Sequence, residues 1–352
     1  MLATWDDFHP LLSRAGMAGC LALMLVAVLL MAVWIDGRWG EPPNSVHPVV
    51  WIGRYLETCG GLTVRCSPVL AFLLGAFAWW LGTVVVGAMV WGLQSLAFQQ
   101  MVGVSAMLGL KSRLTHALMA VPLIILMGWL LKSMLSWRML RDEVSAVESA
   151  LAQSLQAGRE RLSWLVSRDT SQLSESEVRE SAIESLAENL NDSVVAPIFW
   201  FVLFGLPGAA VYRFANTADA MWGYCGVHRG QHWEWAGKWA AWADDVLSWV
   251  PARLTALMLM LVVPGEHKSP LKVLCSEARK TPSPNSGWPM ATMALVLGVR
   301  LGKPGVYTLN PAGRRPQASD TFLAQKYAFK TLVVLVISAL LSIVLVALEV
   351  AL

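Results

Sequence analysis

The sequence predicts an all-α, polytopic integral membrane protein, and three observations lead to this class. Of the 352 residues, 56% are hydrophobic and only 14% are charged, whereas soluble domains carry about 25% charged residues. The mean hydropathy is +0.52. Several uncharged stretches also approach the length of about 20 residues that a helix needs to cross a bilayer. A lipid bilayer is therefore an expected partner. Nucleic acid is not, because the net charge is only +3 and no run of Lys or Arg occurs.

Four uncharged stretches are predicted spans, and three further stretches are weaker candidates. The four are 17–35, 69–91, 114–131 and 331–348. The weaker ones are 93–110, which contains glutamines such as Gln94, then 194–212 and 249–264. The 194–212 stretch contains prolines and glycines, which favours a broken or re-entrant helix over a plain span. The region 194–263 is therefore expected to cross the membrane either not at all or twice, within a single membrane domain over 1–352.

The polar segments are predicted to share the cytoplasmic side of the membrane. Basic residues flank the loop after the first span and follow the third apolar region, and two lysines precede the last span. The positive-inside rule places such segments in the cytoplasm. The five cysteines show no CxxC spacing and are expected to stay reduced. We therefore expect a multi-pass protein of the inner (cytoplasmic) membrane, with segments 132–193 and 265–330 on the cytoplasmic side.

An acidic helix is predicted to begin at Ser174, where Ser174-x-x-Glu177 forms a capping-box pattern. At about 100° per residue, the acids from Glu177 to Glu188 fall on one arc and apolar side chains fall on the opposite arc. An ordinary surface helix fits this pattern equally well. Two details favour a functional interpretation. Asn189 lies among the apolar positions, where an unpaired amide is costly, and the carboxylates directly precede the uncharged stretch 194–212.

Common nucleotide and hydrolase motifs are absent from the sequence. No P-loop, no GxGxxG after a strand, no GxSxG and no HExxH occurs, so any nucleotide site is of an uncommon type. The loop 283–289 can present N–H groups to phosphate, or it can simply lead into the next helix. His228 and His232, with Glu234 nearby, form a weak candidate for a metal site because no third clear ligand follows.

Two other polar regions can be interpreted in two ways. The loop 36–54, with His47 and Arg54, suits either a ligand or anchoring at the membrane interface around a rigid proline turn. The Asp244–Asp245 pair precedes Arg253, and these residues can form a plain interfacial ion pair or part of a site. Composition and spacing alone therefore predict a membrane enzyme or transporter with an acidic, asparagine-containing site on its cytoplasmic side.

Six stretches match the motifs of one known family, in that family's order. They are HPVVWIGR (47–54), RLSWLVSRDTSQL (161–173), ESLAEN…D…VAPIFW (184–200), GLPGAAVYRFANTADAMWGY (205–224), DDVLSWVPARLTAL (244–257) and SPNSGWPMATMALVLGVRLG (283–302). The chain thereby resembles the CobD/CbiB family of cobalamin biosynthesis, the adenosylcobinamide-phosphate synthases. It departs from the family pattern at Asn191-Asp192-Ser193, at Ala220, Ser248 and Thr281, and over 307–322.

The resemblance implies a ligase that joins adenosylcobyric acid, a corrinoid, to an amino-alcohol phosphate such as (R)-1-amino-2-propanol O-phosphate. ATP and Mg²⁺ are the expected cofactors, because a carboxylate reacts with an amine only after activation, here as an acyl phosphate. Such a site needs carboxylates for Mg²⁺, cations for the phosphates and a base for the ammonium proton. A homo-oligomer is left open.

Residues of the matching motifs are assigned to these roles. The catalytic candidates are Glu184, Glu188, Asp219, Asp244 and Asp245, with Asp244 or Asp245 as the base. The metal ligands are Glu184, Glu188, Asp192 and Asp219. The substrate- and nucleotide-binding candidates are His47, Arg54, Arg168, Asp169, Asn189, Asn216, Arg253, Ser283 and Asn285.

Two alternatives belong to other functional classes. One is a non-catalytic signalling or interaction protein of the AmpE-like kind, which the departures from the family pattern favour and the retained acids disfavour. The other is a transporter whose broken helix holds its substrate at mid-membrane. Inverted internal repeats would support a transporter, and the sequence contains none that we detect.

Overall fold

The computed structural model describes residues 14–106, 110–265 and 269–351, and this part of the chain is predominantly helical. In chain order the helices are α1 (Arg14–Trp39), α2 (Pro48–Thr63), α3 (Pro68–Ala106), α4 (Leu110–Met134), α5 (Trp137–Leu151), α6 (Leu155–Leu162), α7 (Glu175–Leu190), α8 (Ala196–Trp222), α9 (Lys238–Val262), α10 (Leu271–Ala278), α11 (Gly287–Leu297) and α12 (Ala318–Ala351). A π-helical turn, Asn191–Val195, follows α7. Two short antiparallel hairpins pair β1 (Val227–His228) with β2 (Gln231–His232), and β3 (Leu301–Lys303) with β4 (Tyr307–Leu309).

Six helical stretches are long and apolar enough to cross a membrane. They are Arg14–Trp39, Pro68–Ser105, Leu114–Leu151, Glu175–Trp222, Lys238–Val262 and Ala318–Ala351. Many of their large apolar side chains are exposed, as expected where lipid rather than protein covers a helix. The predicted class, an all-α polytopic membrane protein, is confirmed.

The chain divides into two compact units. The first comprises the described parts of Met1–Leu135, Pro197–Asp244 and Ile337–Leu352, and the second comprises Ser136–Ala196 and the described parts of Asp245–Val336. The second unit has helix α7 at its centre, because α7 packs against α5, α6, α11 and β3. One apolar cluster of this unit joins Val178 and Ala182 of α7 to Val147, Leu151 and Leu162.

Two predicted boundaries differ from the structure. The stretches 69–91 and 93–110 do not form separate helices, because α3 runs without a break for 39 residues; residues 107–109 at the end of this prediction lie outside the described residues. The weaker candidate span 249–264 begins too late, because the apolar helix α9 runs for 25 residues from Lys238 to Val262. Residues 266–268 of the predicted segment 265–330 also lie outside the described residues.

The apolar segment 194–212 is broken, as predicted, and the structure shows how the break is stabilised. Gly205 of α8 has φ 66° and ψ −158°, a conformation that is essentially restricted to glycine. The freed backbone N–H of Leu206 donates a hydrogen bond of 2.8 Å to the side-chain oxygen of Gln94. A Cβ atom at position 205 would collide with that same amide. The glutamine that weakened the predicted span at 93–110 therefore replaces a lost backbone hydrogen bond.

We expect the Gln94→Leu variant to be less stable than the wild type, because it leaves the Leu206 N–H without a partner in apolar surroundings. The loss is about 1–3 kcal/mol, measured as a lower midpoint of thermal unfolding in detergent. Gln99→Leu is the matched control, since Gln99 is on the same helix and has no side-chain hydrogen bond among the described residues. Equal midpoints for the two variants would contradict the role of Gln94.

Candidate functional site

A polar cavity of about 310 Å³ lies in the second unit, and α7 forms one of its walls. The other walls are the segment before residue 169, the loop at 282–286 and the β3–β4 hairpin. We refer to it as the carboxylate cavity. Its lining residues are Leu165, Val166, Ser167, Arg168, Ser181, Glu184, Ser185, Glu188, Asn189, Pro282, Ser283, Ser286, Met290, Lys303, Val306 and Tyr307. It therefore brings together five of the predicted residues: Arg168, Glu184, Glu188, Asn189 and Ser283.

The central interaction of this cavity is the ion pair between Glu184 and Arg168. Nη2 of Arg168 donates to Oε2 of Glu184 at 2.9 Å, and Glu184 is only 2% exposed. The second carboxylate oxygen, Oε1, and the guanidinium nitrogen Nη1 are both buried and have no hydrogen-bond partner. Buried polar atoms are nearly always paired. These two atoms are therefore available to a ligand in the cavity.

Glu188 follows Glu184 by one helical turn and lines the same cavity. Asn189 bonds within its own helix, since its amide donates to the backbone oxygen of Ser185 at 3.0 Å. The π-helical turn that begins next brings Asp192 into contact with Asn191, whose amide donates to the aspartate at 2.7 Å. Single π-helical turns are frequent at functional sites. The acidic arc of α7 is thus a buried wall of a cavity and not the solvated face of a surface helix.

Two residues of the cavity, Lys303 and Tyr307, are absent from the sequence-based candidates. They are paired across the β3–β4 hairpin and face the acids of α7. Burial raises the pKa of the Tyr307 hydroxyl, and the charges of Glu184 and Glu188 raise it further. This tyrosine therefore stays protonated and can donate a hydrogen bond. No local pattern marks these positions; the only signal is that Lys303 directly follows the last family motif, which ends at Gly302.

The predicted residues Asp245, Arg253 and Asn285 form a separate cluster of the second unit. The amide nitrogen of Asn285 donates to the backbone oxygen of Asp245 at 2.8 Å, and its oxygen accepts from Nη1 of Arg253 at 3.1 Å. The Arg253 guanidinium lies 4.1 Å from the ring centroid of Trp249 and 4.8 Å from that of Trp288. These partners fix the loop at 282–287 against α9. The contacts of Arg253 and Asn285 are structural, and their predicted binding roles stay predictions.

Asp169 is exposed beside this cavity but does not line it. Its carboxylate accepts the backbone N–H of Ser171 at 2.9 Å. That hydrogen bond lowers the pKa of Asp169. The carboxylate thus stabilises a local turn that leads toward α7, and its predicted role in binding has no geometric support within the second unit.

Three predicted residues, Asn216, Asp219 and Asp244, belong to the first unit. The Asn216 amide donates to Asp244 at 3.4 Å and its oxygen accepts from Arg213 at 3.5 Å, so α8 and the start of α9 are linked by polar contacts. Asp219 is half-buried one turn after Asn216, and its backbone oxygen accepts from Gly223 at 2.7 Å. That Asp219 shares a site with the acids of α7 stays a prediction.

His47 and Arg54, also in the first unit, have different surroundings. His47 caps α2, because its Nδ1 accepts the N–H of Val49 at 3.2 Å while Nε2 donates to Glu41 at 3.0 Å. Burial raises the pKa of Glu41, but the hydrogen bond from His47 and the charge of Lys132 outweigh it and hold that pKa below its ordinary value. Arg54 is exposed on α2.

The candidate metal pair His228 and His232 is wrong as a shared site. Val227 pairs with His232 and His228 pairs with Gln231 in the hairpin. Successive residues of a strand point to opposite faces, so the two imidazoles lie on opposite faces of the hairpin. Among the described residues, no group of three His, Cys, Asp or Glu side chains can hold a metal ion by itself.

The carboxylate cavity nevertheless has the donors that Mg²⁺ takes when it binds together with a phosphorylated substrate. Such a Mg²⁺ ion is commonly held by one or two carboxylates, by phosphate oxygens and by water. Glu184 and Glu188 supply two carboxylates, and the unpaired Oε1 of Glu184 is a free acceptor. Arg168 and Lys303 supply positive charge for phosphate in the same cavity. The residues present therefore fit a magnesium–phosphate ligand.

Comparison with known proteins adds a family to this geometry. The profile described as CobD/Cbib protein matches residues 29–346. The protein named "Probable cobalamin biosynthesis protein CobD" in Pyrococcus furiosus is 41% identical over 298 residues, which cover 85% of this chain and 92% of the relative. Its namesake in Methanothermobacter thermautotrophicus is 37% identical over 287 residues, covering 81% of this chain and 86% of the relative. A third, in Thermococcus kodakarensis, is 38% identical over 296 residues, covering 84% of this chain and 88% of the relative.

No solved structure matches the chain. Because the family profile spans most of the sequence, this chain belongs to the CobD/Cbib protein family.

Proposed function

We propose that this protein is a membrane-bound ligase of cobalamin biosynthesis. It joins adenosylcobyric acid to (R)-1-amino-2-propanol O-phosphate, or to a related amino-alcohol phosphate, and uses ATP and Mg²⁺. The observation that carries the proposal is the carboxylate cavity of a CobD/Cbib chain, in which a buried glutamate and an arginine each keep one atom unpaired. The names of the relatives, which refer to cobalamin biosynthesis, support the same pathway.

The reaction has two steps. A carboxylate oxygen of the corrinoid attacks the γ-phosphorus of ATP, the bond to the bridging oxygen breaks, and ADP leaves. The neutral amine of the second substrate then attacks the acyl carbon, phosphate leaves with the electrons of the C–O bond, and a base accepts the surplus proton. The protein contributes by positioning the groups and by stabilising charge, as is general for phosphoryl transfer.

Different side chains of the carboxylate cavity have different roles in this reaction. Glu184 and Glu188 hold Mg²⁺, which when bound neutralises phosphate charge and orients the phosphoryl group. Arg168 and Lys303 face the same space and bind phosphate oxygens. Tyr307, which stays protonated, donates a hydrogen bond to an oxygen that gains negative charge. Asp192 and Asp219 stay predicted metal ligands, and Asp244 or Asp245 is the proposed base.

The protein is proposed to lie in the inner membrane with this cavity facing the cytoplasm, where ATP is available. The six apolar helical stretches support a multi-pass arrangement, and the positive-inside rule supports the orientation. An apolar surface at the membrane boundary suits the bulky face of a corrinoid. The partners are thus a corrinoid, an amino-alcohol phosphate and the bilayer.

We expect purified protein to form ADP and an amide from adenosylcobyric acid, Mg-ATP and an amino-alcohol phosphate. Glu184→Gln and Glu188→Gln each remove one charge at constant size, and each lowers kcat by about 100-fold or more, the scale of losing a charge that acts in the transition state. Glu160→Gln is the control, because Glu160 is exposed in the same unit. Wild-type rates in Glu188→Gln at matched protein amounts would remove this scheme.

We expect Arg168 and Glu184 to be energetically coupled. Arg168→Gln leaves a buried carboxylate without its partner and lowers the free energy of unfolding by about 3 kcal/mol or more. Adding Glu184→Gln removes the uncompensated charge and recovers most of that loss, but not the activity. A double-mutant cycle of thermal unfolding measures the coupling. Additive effects of the two substitutions would show that the ion pair does not organise the site.

A deletion strain distinguishes the ligase from the non-catalytic AmpE-like alternative, which the departures at Ala220, Ser248 and Thr281 favour. The ligase predicts loss of growth when cobyric acid is the corrinoid source and normal growth on cobinamide, because cobinamide enters after the amide has formed. The chromosomal gene restored on a plasmid is the control. Growth of the deletion strain on cobyric acid would support the non-catalytic alternative.

A further inference from the structure

A second polar cavity, of about 430 Å³, lies in the same unit and is also lined by the β3–β4 hairpin. We refer to it as the hairpin cavity. Glu177 and Glu180 of α7 line it together with Arg300, and Lys303 and Tyr307 line it from the hairpin. Lys303 and Tyr307 also line the carboxylate cavity. The two cavities are therefore neighbours that share one strip of hairpin.

The hairpin holds Lys303 at the boundary between the two cavities. Lys303 is the last residue of β3 and pairs with Tyr307, the first residue of β4. The turn between them closes through a 2.9 Å hydrogen bond from the N–H of Val306 to the oxygen of Lys303. Gly305 has φ 73°, which glycine adopts without strain. The ammonium group is thus carried on a short, well-defined turn.

The charges of the hairpin cavity are only partly paired. Glu177 is committed to the capping box, where its carboxylate accepts the N–H and the hydroxyl of Ser174 at 2.7 Å each. Glu180 is 3% exposed and pairs with Arg300 at 3.2 Å. Lys303 has no carboxylate within 4.0 Å among the described residues. The cavity therefore offers a free ammonium beside a guanidinium, with a buried carboxylate close by.

We infer that the hairpin cavity binds the amino-alcohol phosphate, an inference that rests on the proposed function. Arg300 and Lys303 bind the phosphate group, and the Glu180 carboxylate attracts the ammonium end of the same molecule. A small zwitterion matches both kinds of charge at once, whereas a plain anion has no group for the carboxylate to attract. The shared strip at Lys303 then brings the amine next to the carboxylate cavity, where the activated acid is formed.

The nucleotide fits the hairpin cavity less well. One acid of the hairpin cavity, Glu177, is committed to the capping box and the other, Glu180, is paired with Arg300. The carboxylate cavity also contains Glu188, which has no ion pair within 4.0 Å among the described residues. The free carboxylate oxygen of Glu184 lies in the other cavity. Two phosphorylated substrates are thereby assigned to two cavities on the basis of their charges.

A binding measurement tests the inference without the complete reaction. O-phosphoethanolamine is titrated calorimetrically into purified full-length protein in detergent, without nucleotide or corrinoid, next to inorganic phosphate and ethanolamine. We expect the zwitterion to bind more tightly than either fragment. Lys303→Gln weakens its binding at least about tenfold, the loss of one charge-assisted hydrogen bond. Lys272→Gln is the control, because Lys272 is exposed in the same unit.

Steady-state kinetics give a second, independent readout. Arg300→Gln raises KM for the amino-alcohol phosphate at least about tenfold, while KM for ATP changes less than twofold, because Arg300 lines the hairpin cavity and not the carboxylate cavity. Lys303→Gln raises KM for both substrates, because Lys303 lines both cavities. Arg300→Gln alone leaves Glu180 buried and unpaired, and if it fails to fold, the pair Arg300→Gln with Glu180→Gln is compared instead. Lys303 is exposed, so its variant is expected to fold.

The outcomes separate this inference from the proposed function. An unchanged KM for the amino-alcohol phosphate, in a wild type that forms the amide, overturns the inference and leaves the ligase intact. A raised KM for ATP in Arg300→Gln instead assigns the hairpin cavity to the nucleotide and also overturns it. Binding of O-phosphoethanolamine that is lost in Arg300→Gln, whose side chain lines only the hairpin cavity of the two, in a protein that forms no amide, supports the cavity and contradicts the ligase.

Discussion

The arrangement of the second unit depends on one constraint: the carboxylate of Glu184 is buried away from water. Taking an ion out of water costs several kcal/mol unless it is paired and hydrogen-bonded, and Glu184 is 2% exposed. Arg168 supplies the pair at 2.9 Å, and Lys303 adds positive charge from the hairpin across the cavity. The segment before α7 and the β3–β4 hairpin therefore compensate the buried negative charge of Glu184. Their arrangement around it creates a cavity with both charge signs.

The first unit also buries charged groups among its described residues. Lys132 is fully buried, and its Nζ lies 2.9 Å from a carboxylate oxygen of Glu41 and 3.5 Å from one of Asp36. His47 donates to the same Glu41 and at the same time caps α2. Positive and negative groups here face each other directly, which fixes the loop between α1 and α2. His47 thus contributes to the fold, and its predicted binding role stays a prediction.

Features of the fold that depend on residues close together in the sequence could be predicted from local patterns. The capping box at Ser174 and Glu177 is present, and the break at Gly205 follows from glycine and proline in an apolar helix. Contacts between distant segments were not predictable. Gln94, whose polarity weakened a predicted span, bonds to Leu206, which lies 112 positions away. Arg253, a predicted binding residue, contacts two tryptophan rings and Asn285. Lys303 lies in a short polar turn whose place against α7 is set by packing, so no periodicity reveals it.

An unpaired buried atom indicates a binding site only where its side chain lines a cavity. Oε1 of Glu41 and Nζ of Lys132 are buried without a hydrogen-bond partner, although the two side chains share a 2.9 Å ion pair. Oε1 of Glu184 and Nη1 of Arg168 are also unpaired beside a 2.9 Å ion pair, but their side chains line the carboxylate cavity. Each of these two side chains uses one polar atom for the ion pair and leaves a second polar atom without a partner. A buried charge pair that lines a cavity and leaves one atom of each partner open can gain electrostatic free energy from a polar ligand that binds there.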